Sequence, residues 1–238
     1  NGANHVLMPF LLPTPYDAIK DFAPVATLSS YEQILVVHPS IPAKNLQELI
    51  ALAKSKPGQL NYATAGTGSS GHLTIELLSS LTGIKMQHIP YKGTAPALTD
   101  LMSGQVQLFV APPASSIRYI TSGRLRGIAI SGGTRLPALP AVPTFTEAGL
   151  PGFEVKGWYA IFAPAGTPKA VIDKLSAEFA KILAMTDIRE KITSQGMNPF
   201  ISTPEQFAAF MKMDRERVGQ LTWICPESRS LTIGGMPL

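Results

Sequence analysis

Three observations place this sequence in the α/β class. After Asp21, strand-like apolar runs alternate with amphipathic helical runs, the pattern of a mainly parallel sheet with helices on its faces. Glycines and prolines recur at the changeovers, where helices stop and turns form. The 238 residues, 45% hydrophobic and 15% charged, suffice to bury a core in one large or two small domains.

The elements follow in order. Phe22–Leu28 and Gln33–His38 read as strands. Asn45 caps a helix with Glu48 three residues on, Leu46, Leu49, Ile50 and Ala53 form its apolar stripe, and Pro57-Gly58 ends it. The strand Leu60–Thr64 feeds a glycine loop and then a helix with Leu73, Leu77, Leu78 and Leu81 on one face, closed by Gly83. Met86–Tyr91 is a strand, Thr94–Ser103 a helix, Val106–Ala111 a strand. Pro112-Pro113 opens a helix ending at Gly123, and Leu125–Ser131 is a further strand. Residues 132–152, rich in Pro and Gly, read as a connection between lobes. Phe153–Ala163 is a long strand containing Trp158. Thr167-Pro168 reads as an N-cap with Pro at the first helical position, before a helix burying Val171, Ile172, Leu175, Phe179, Ile182 and Leu183. A shorter helix runs to Gly196. Thr203-Pro204-Glu205-Gln206 caps a last helix with Phe207, Phe210, Met211 and Val218 inward.

The glycine loop Gly66-Thr67-Gly68-Ser69-Ser70-Gly71-His72 joins a strand end to a helix start, a geometry that aims backbone N–H groups and the positive end of a helix at one point. Its spelling, G-x-G-x-x-G, raises dinucleotide binding. That reading needs an acidic residue at the end of the next strand, and no Asp or Glu occurs between Glu76 and Asp100. A plain glycine turn with Ser capping the helix is the alternative to an anion site. Ser69 and Ser70 fail the G-x-S-x-G spacing of a nucleophile elbow. His5, His38, His72 and His88 show no metal-ligand spacing, and His72 reads as packing or capping in the first helical turn. Trp158 is either a core residue or a ligand-stacking one. The loops at 64–72, 91–96 and 111–116 hold one His and one Lys but no carboxylate. Such loops suit holding an anion and not transforming it, so no catalytic residue, cofactor or metal is assigned.

The net charge is +4 and the pI near 9.2, yet Arg118, Arg124, Arg126 and Arg135 lack interleaved aromatics and read as a solvated face, so nucleic acid is not the expected partner. The single cysteine, Cys225, excludes an internal disulfide and a Cys-based zinc site. No apolar run approaches the roughly 18–20 residues of a membrane helix. The start, Asn1-Gly2-Ala3-Asn4-His5, has neither an initiator Met nor a signal-peptide pattern and reads as a mature or truncated product.

Several segments in order, Tyr16–Val25, Asn61–Ala63 with Gly66–His72, Ile89–Gly93 with Pro96–Leu98, Gly104–Val106, Leu139–Thr144, Glu147–Gly152 and Phe162–Pro168, resemble the Bug/TctC family. These are the extracytoplasmic solute-binding proteins of tripartite tricarboxylate transporters. The resemblance covers about Asn1 to Leu221. It implies a type II periplasmic-binding-protein fold of two α/β lobes with mainly parallel sheets and crossing hinge strands. One lobe would be 33–155; the other would combine 1–32 with 156–238 and lack a first βαβ segment. By motif, Gly66, Thr67, Gly68, Ser69, Ser70 and Gly93 would hold a carboxylate, with Asn1 facing them from the other lobe and Trp158 as a further ligand contact. Ala111 stands where the family often has Asp, which favours a plain mono-, di- or tricarboxylate, possibly aromatic, over an amino acid. The implied setting is a periplasmic monomer delivering its acid to membrane permease subunits. The other readings are a ligand-sensing adaptor for a membrane signalling partner, and a hydrolase or transferase using Ser69 or Ser70. The tail from Thr222 departs from the amphipathic helix that the resemblance implies there.

Overall fold

A computed structural model describes residues 5, 6, 9 and 14–224, with the side chains of 218 and 220–224 excepted. Asn1 and the tail from Cys225 lie outside the described residues.

The chain divides into two compact units. One comprises Asn1–Ser30, Trp158–Thr193 and Asn198–Leu238; the other comprises Tyr31–Gly157 and Ser194–Met197. The backbone passes between them within β1 (Phe22–Glu32) and within β7 (Lys156–Pro164).

The second unit is built on a five-stranded sheet of order β4-β3-β5-β2-β6: β2 is Ile34–Val37, β3 Asn61–Thr64, β4 Gln87–Pro90, β5 Leu108–Ala111 and β6 Arg126–Ile130. Short, apolar, fully buried runs such as Leu-Phe-Val-Ala in β5 suit central strands covered on both faces. β3 runs parallel to β4 and β5, whereas β2 lies antiparallel between β5 and β6. The sheet is therefore mixed, because one reversed strand enters a set of otherwise co-directional ones.

Helices α1 (Leu46–Ser55), α2 (Ser70–Thr82), α3 (Thr94–Met102) and α4 (Pro113–Thr121) connect these strands. Asn45 accepts from the Glu48 N–H at 2.9 Å and donates to Glu48 Oε1 at 2.8 Å, which satisfies orphan groups at the α1 start. Leu46, Leu49, Ile50 and Ala53 are its buried residues. The core gathers Ile34, Val36, Phe109, Leu101 and Ile130, among others. Leu81, expected on the inward face of α2, is 53% exposed, while Leu73, Ile75, Leu77 and Leu78 are buried.

The first unit carries a three-stranded sheet of order β7-β1-β8, where β8 is Asn198–Pro199, with helices α5 (Lys169–Ala184), α6 (Thr186–Ser194) and α7 (Pro204–Ile224). Its core joins Val6, Trp158, Phe207 and Met211, with Phe210 packed against them. Thr203 and Gln206 cap α7 reciprocally. Val218 lies outside the described side chains. Three expectations change. The N-cap of α5 is Pro168, and Thr167 turns its hydroxyl to the Pro164 carbonyl at 2.8 Å. Only one of the two apolar stripes of α5 is covered: Ile172 and Leu183 are buried, while Val171, Leu175 and Ile182 are more than 40% exposed. Residues 222–224 continue α7 instead of breaking it.

Candidate functional site

Register brings the chemically notable residues of the second unit to one sheet edge. Thr64, Pro90 and Ala111 end β3, β4 and β5, and the partnered strands are parallel, so the loops that follow emerge side by side. β2 begins where they end, because Ile34 pairs with Ala111 and with Ile130. Gln33 and Ser131 therefore join the same edge.

Three helices start there. Gly93, at the α3 N-cap with φ +116°, and Pro112, at the α4 N-cap, make no side-chain cap bond. The first turns of α2, α3 and α4 contain no acidic residue. The first N–H groups of any helix lack intrahelical acceptors, so these three helix starts present positive dipole ends with no acidic residue in their first turns.

The glycine loop is held by its own side chains. Ser69 is the α2 N-cap and accepts from the His72 N–H at 3.2 Å. The Gly68 N–H donates to His72 Nδ1 at 3.2 Å, so Gly68, at φ +75°, shapes the loop and its own donor is directed inward. That bond puts the neutral His72 proton on Nε2. A Cβ on Gly71 would stand 2.8 Å from the Val110 carbonyl, so only glycine lets the start of α2 lie this close to β5. The Gly66 N–H donates to Thr64 Oγ1, and the Tyr91 N–H donates to the Thr64 carbonyl at 3.0 Å, which ties the loops after β3 and β4 together.

Behind the loop lies a ring stack. His72 and His88 are 4.2 Å apart, His88 and Tyr62 4.9 Å apart, both nearly parallel. His88 Nε2 meets Thr64 Oγ1 at 2.7 Å, and the Tyr62 hydroxyl donates to Glu76. Burial, with His88 alongside, pushes His72 down to about 3, and burial pushes His88 down to about 4. Both stay neutral near pH 7. Tyr91 donates to Asp100 at 2.6 Å, and burial and that carboxylate hold its phenol up at about 12.

Gly66, Thr67, Gly68, Ser69, Ser70 and Gly93 thus lie at this edge, Gly66 and Thr67 half-buried. Ala111 ends β5 with its methyl wholly buried in the core. Asn1 lies outside the described residues. Trp158 is corrected to a core residue of the first unit: it is 1% exposed, its indole N–H donates to Asp214, and Phe207 and Phe210 meet its ring edge-on. Ser69 Oγ accepts from the His72 N–H as the α2 cap, and Ser70 Oγ accepts from Gln33. The reading that the basic residues lack an interleaved aromatic is corrected: Tyr119 lies between Arg118 and Arg124 and both stack on its ring, while Arg126 binds the carbonyls of Ile41 and Ala43 and Arg135 pairs with Glu147.

The sequence matches the tripartite tricarboxylate transporter family receptor, TctC, over residues 3–223. The chain belongs to this family. This TctC chain is 36% identical over 219 residues to the UPF0065 protein of the tcbD-tcbE intergenic region of Pseudomonas sp. (strain P51), covering 91% of the chain and 65% of that protein. It is 35% identical over 211 residues to BugT of Bordetella pertussis, covering 89% and 64%. It therefore spans about two thirds of the length of these relatives. Among solved structures, Rpa4515 of R. palustris with adipate superposes with a TM-score of 0.90 at 30% identity, covering 94% of this chain and 75% of that one. MatC of Rhodopseudomonas palustris with bound malate gives 0.83 at 32% identity, covering 92% and 75%. TctC proteins are solute-binding proteins, not enzymes, and share a two-lobed α/β fold.

Two residues at the edge escaped the sequence reading as site residues. Gln33 was a strand's first residue and His88 a plain structural histidine. The available signal was a lone amide beside the apolar run Ile34–Val37 and a histidine at the inward position of β4.

Proposed function

We propose that this chain is the binding portion of an extracytoplasmic receptor that takes a small organic acid and delivers it to the permease subunits of a tripartite tricarboxylate transporter. The carboxylate sits at the starts of α2 and α3, received by the N–H groups of Ser70 and Gly71 and by the Gly93 turn, with Gly66 and Thr67 framing it. The observation that supports this most is the meeting of three helix starts free of acidic first-turn residues, two of them uncapped, at one sheet edge of a TctC chain. Adipate and malate in similar proteins point to dicarboxylates, and Ala111 supplies no charge for a ligand ammonium. A thermal-melt screen against mono-, di- and tricarboxylates and aromatic acids tests it. An acid at 100 times its Kd adds about 2.7 kcal/mol, or roughly 5–11 °C for a chain of this size. A cooperative melt that no acid raises contradicts the reading.

A further inference from the structure

Gln33 separates β1 from β2 at the sheet edge just described and is 1% exposed. Its backbone is fully engaged: the N–H donates to Ser131 Oγ at 2.8 Å, and the carbonyl accepts from the Ser131 N–H at 2.8 Å. Ser131 in turn donates its hydroxyl to the Val155 carbonyl. The side chain reaches the first turn of α2, where Nε2 donates to Ser70 Oγ. Among the described residues, Gln33 Oε1 is the buried side-chain oxygen without a hydrogen-bond partner. A buried acceptor left unmet is costly, and native structures keep one where something else supplies the donor. The first turns of the helices that start here hold no acidic residue, and a further neutral acceptor beside them does nothing for a bare carboxylate. It suits a ligand group that donates. Ser70 Oγ, which accepts from the amide, keeps its own hydrogen to give.

We propose that Gln33 selects a hydroxylated acid: Oε1 accepts from a ligand hydroxyl while the Ser70 hydroxyl and the α2 start receive the neighbouring carboxylate. The inference rests on the carboxylate reading above and names its substrate class as hydroxycarboxylates. Ala111, beside Gln33 through its pairing with Ile34, leaves the acceptor neutral, so a hydroxyl is preferred to an ammonium.

The test is calorimetric titration of the wild-type chain and of Gln33→Leu and Gln33→Met with two matched pairs, succinate against malate and glutarate against 2-hydroxyglutarate. The wild type is expected to bind each hydroxy acid about tenfold more tightly than its partner, one neutral hydrogen bond in a site built for it. In the substituted chains that ratio falls to about one, while affinity for all four acids can drop together because Gln33 also holds the Ser70 hydroxyl. Equal wild-type affinities within each pair, with acid binding intact, overturn the inference alone: Oε1 then holds a buried water only. A preference that survives in either variant overturns it too. A wild type that binds none of the four acids removes the carboxylate reading and this inference together.

Discussion

His72 links the loop's shape to its protonation state. Its Nδ1 accepts the Gly68 N–H, its own N–H is capped by Ser69, and its ring is stacked on His88. Both histidines titrate far below the ordinary 6.5, to about 3 and about 4. Between pH 6.5 and 4 the unfolded chain therefore binds protons that the folded chain refuses. Stability is fully present above pH 6.5 and declines as pH falls, by up to about 1.4 kcal/mol per unit for each histidine. Denaturant midpoints measured from pH 7 to 5 should fall accordingly. His72→Asn keeps an acceptor for Gly68 and removes one titration, so its profile should be flatter; an unchanged slope would refute the assignment. The sequence marked His72 as a packing or capping residue, which holds, but not its partner. His72 and His88 are 16 positions apart, and only the parallel pairing of β3 with β4 brings them together. Gln33 was hidden for the same reason: an unmet oxygen is a property of the fold, and no local spacing encodes it.

At the scale of elements, what is encoded locally was legible. The caps of α1 and α7 and the stripe Leu46, Leu49, Ile50 and Ala53 follow from i, i+3 and i, i+4 chemistry. The direction of β2 was not legible, because four buried aliphatic residues read the same both ways. The covering of α5 was not legible either: its apolar residues make two stripes, and periodicity does not say which one meets the sheet. β7 carries a constraint of another kind. A Cβ on Gly157 would fall on the ring of Tyr31, 2.6 Å from its Oη, and Tyr31 is wholly buried and has nowhere to go. Gly157→Ala should therefore destabilise the chain by about 1–3 kcal/mol through overpacking. Chemical denaturation reads this directly, and a midpoint equal to wild type would show that the ring yields freely.

For the whole molecule, family and fold class were readable because the motifs recur in order along almost the entire chain and match the TctC family over residues 3–223. The glycines and the lack of carboxylates in the loops after β3 and β4 are what the proposed anion site takes from the sequence. The convergence of α2, α3 and α4 at a single edge needed the sheet order, and Trp158 needed the core of the first unit to show that its face is covered. The central claim is that this edge of the second unit receives a carboxylate. It is tested most directly by following backbone amide NMR signals of the 15N-labelled chain while malate is added. The account predicts saturable shifts concentrated at Gly66–Gly71 and around Gly93. Saturable shifts that leave those amides unmoved and gather elsewhere would contradict it.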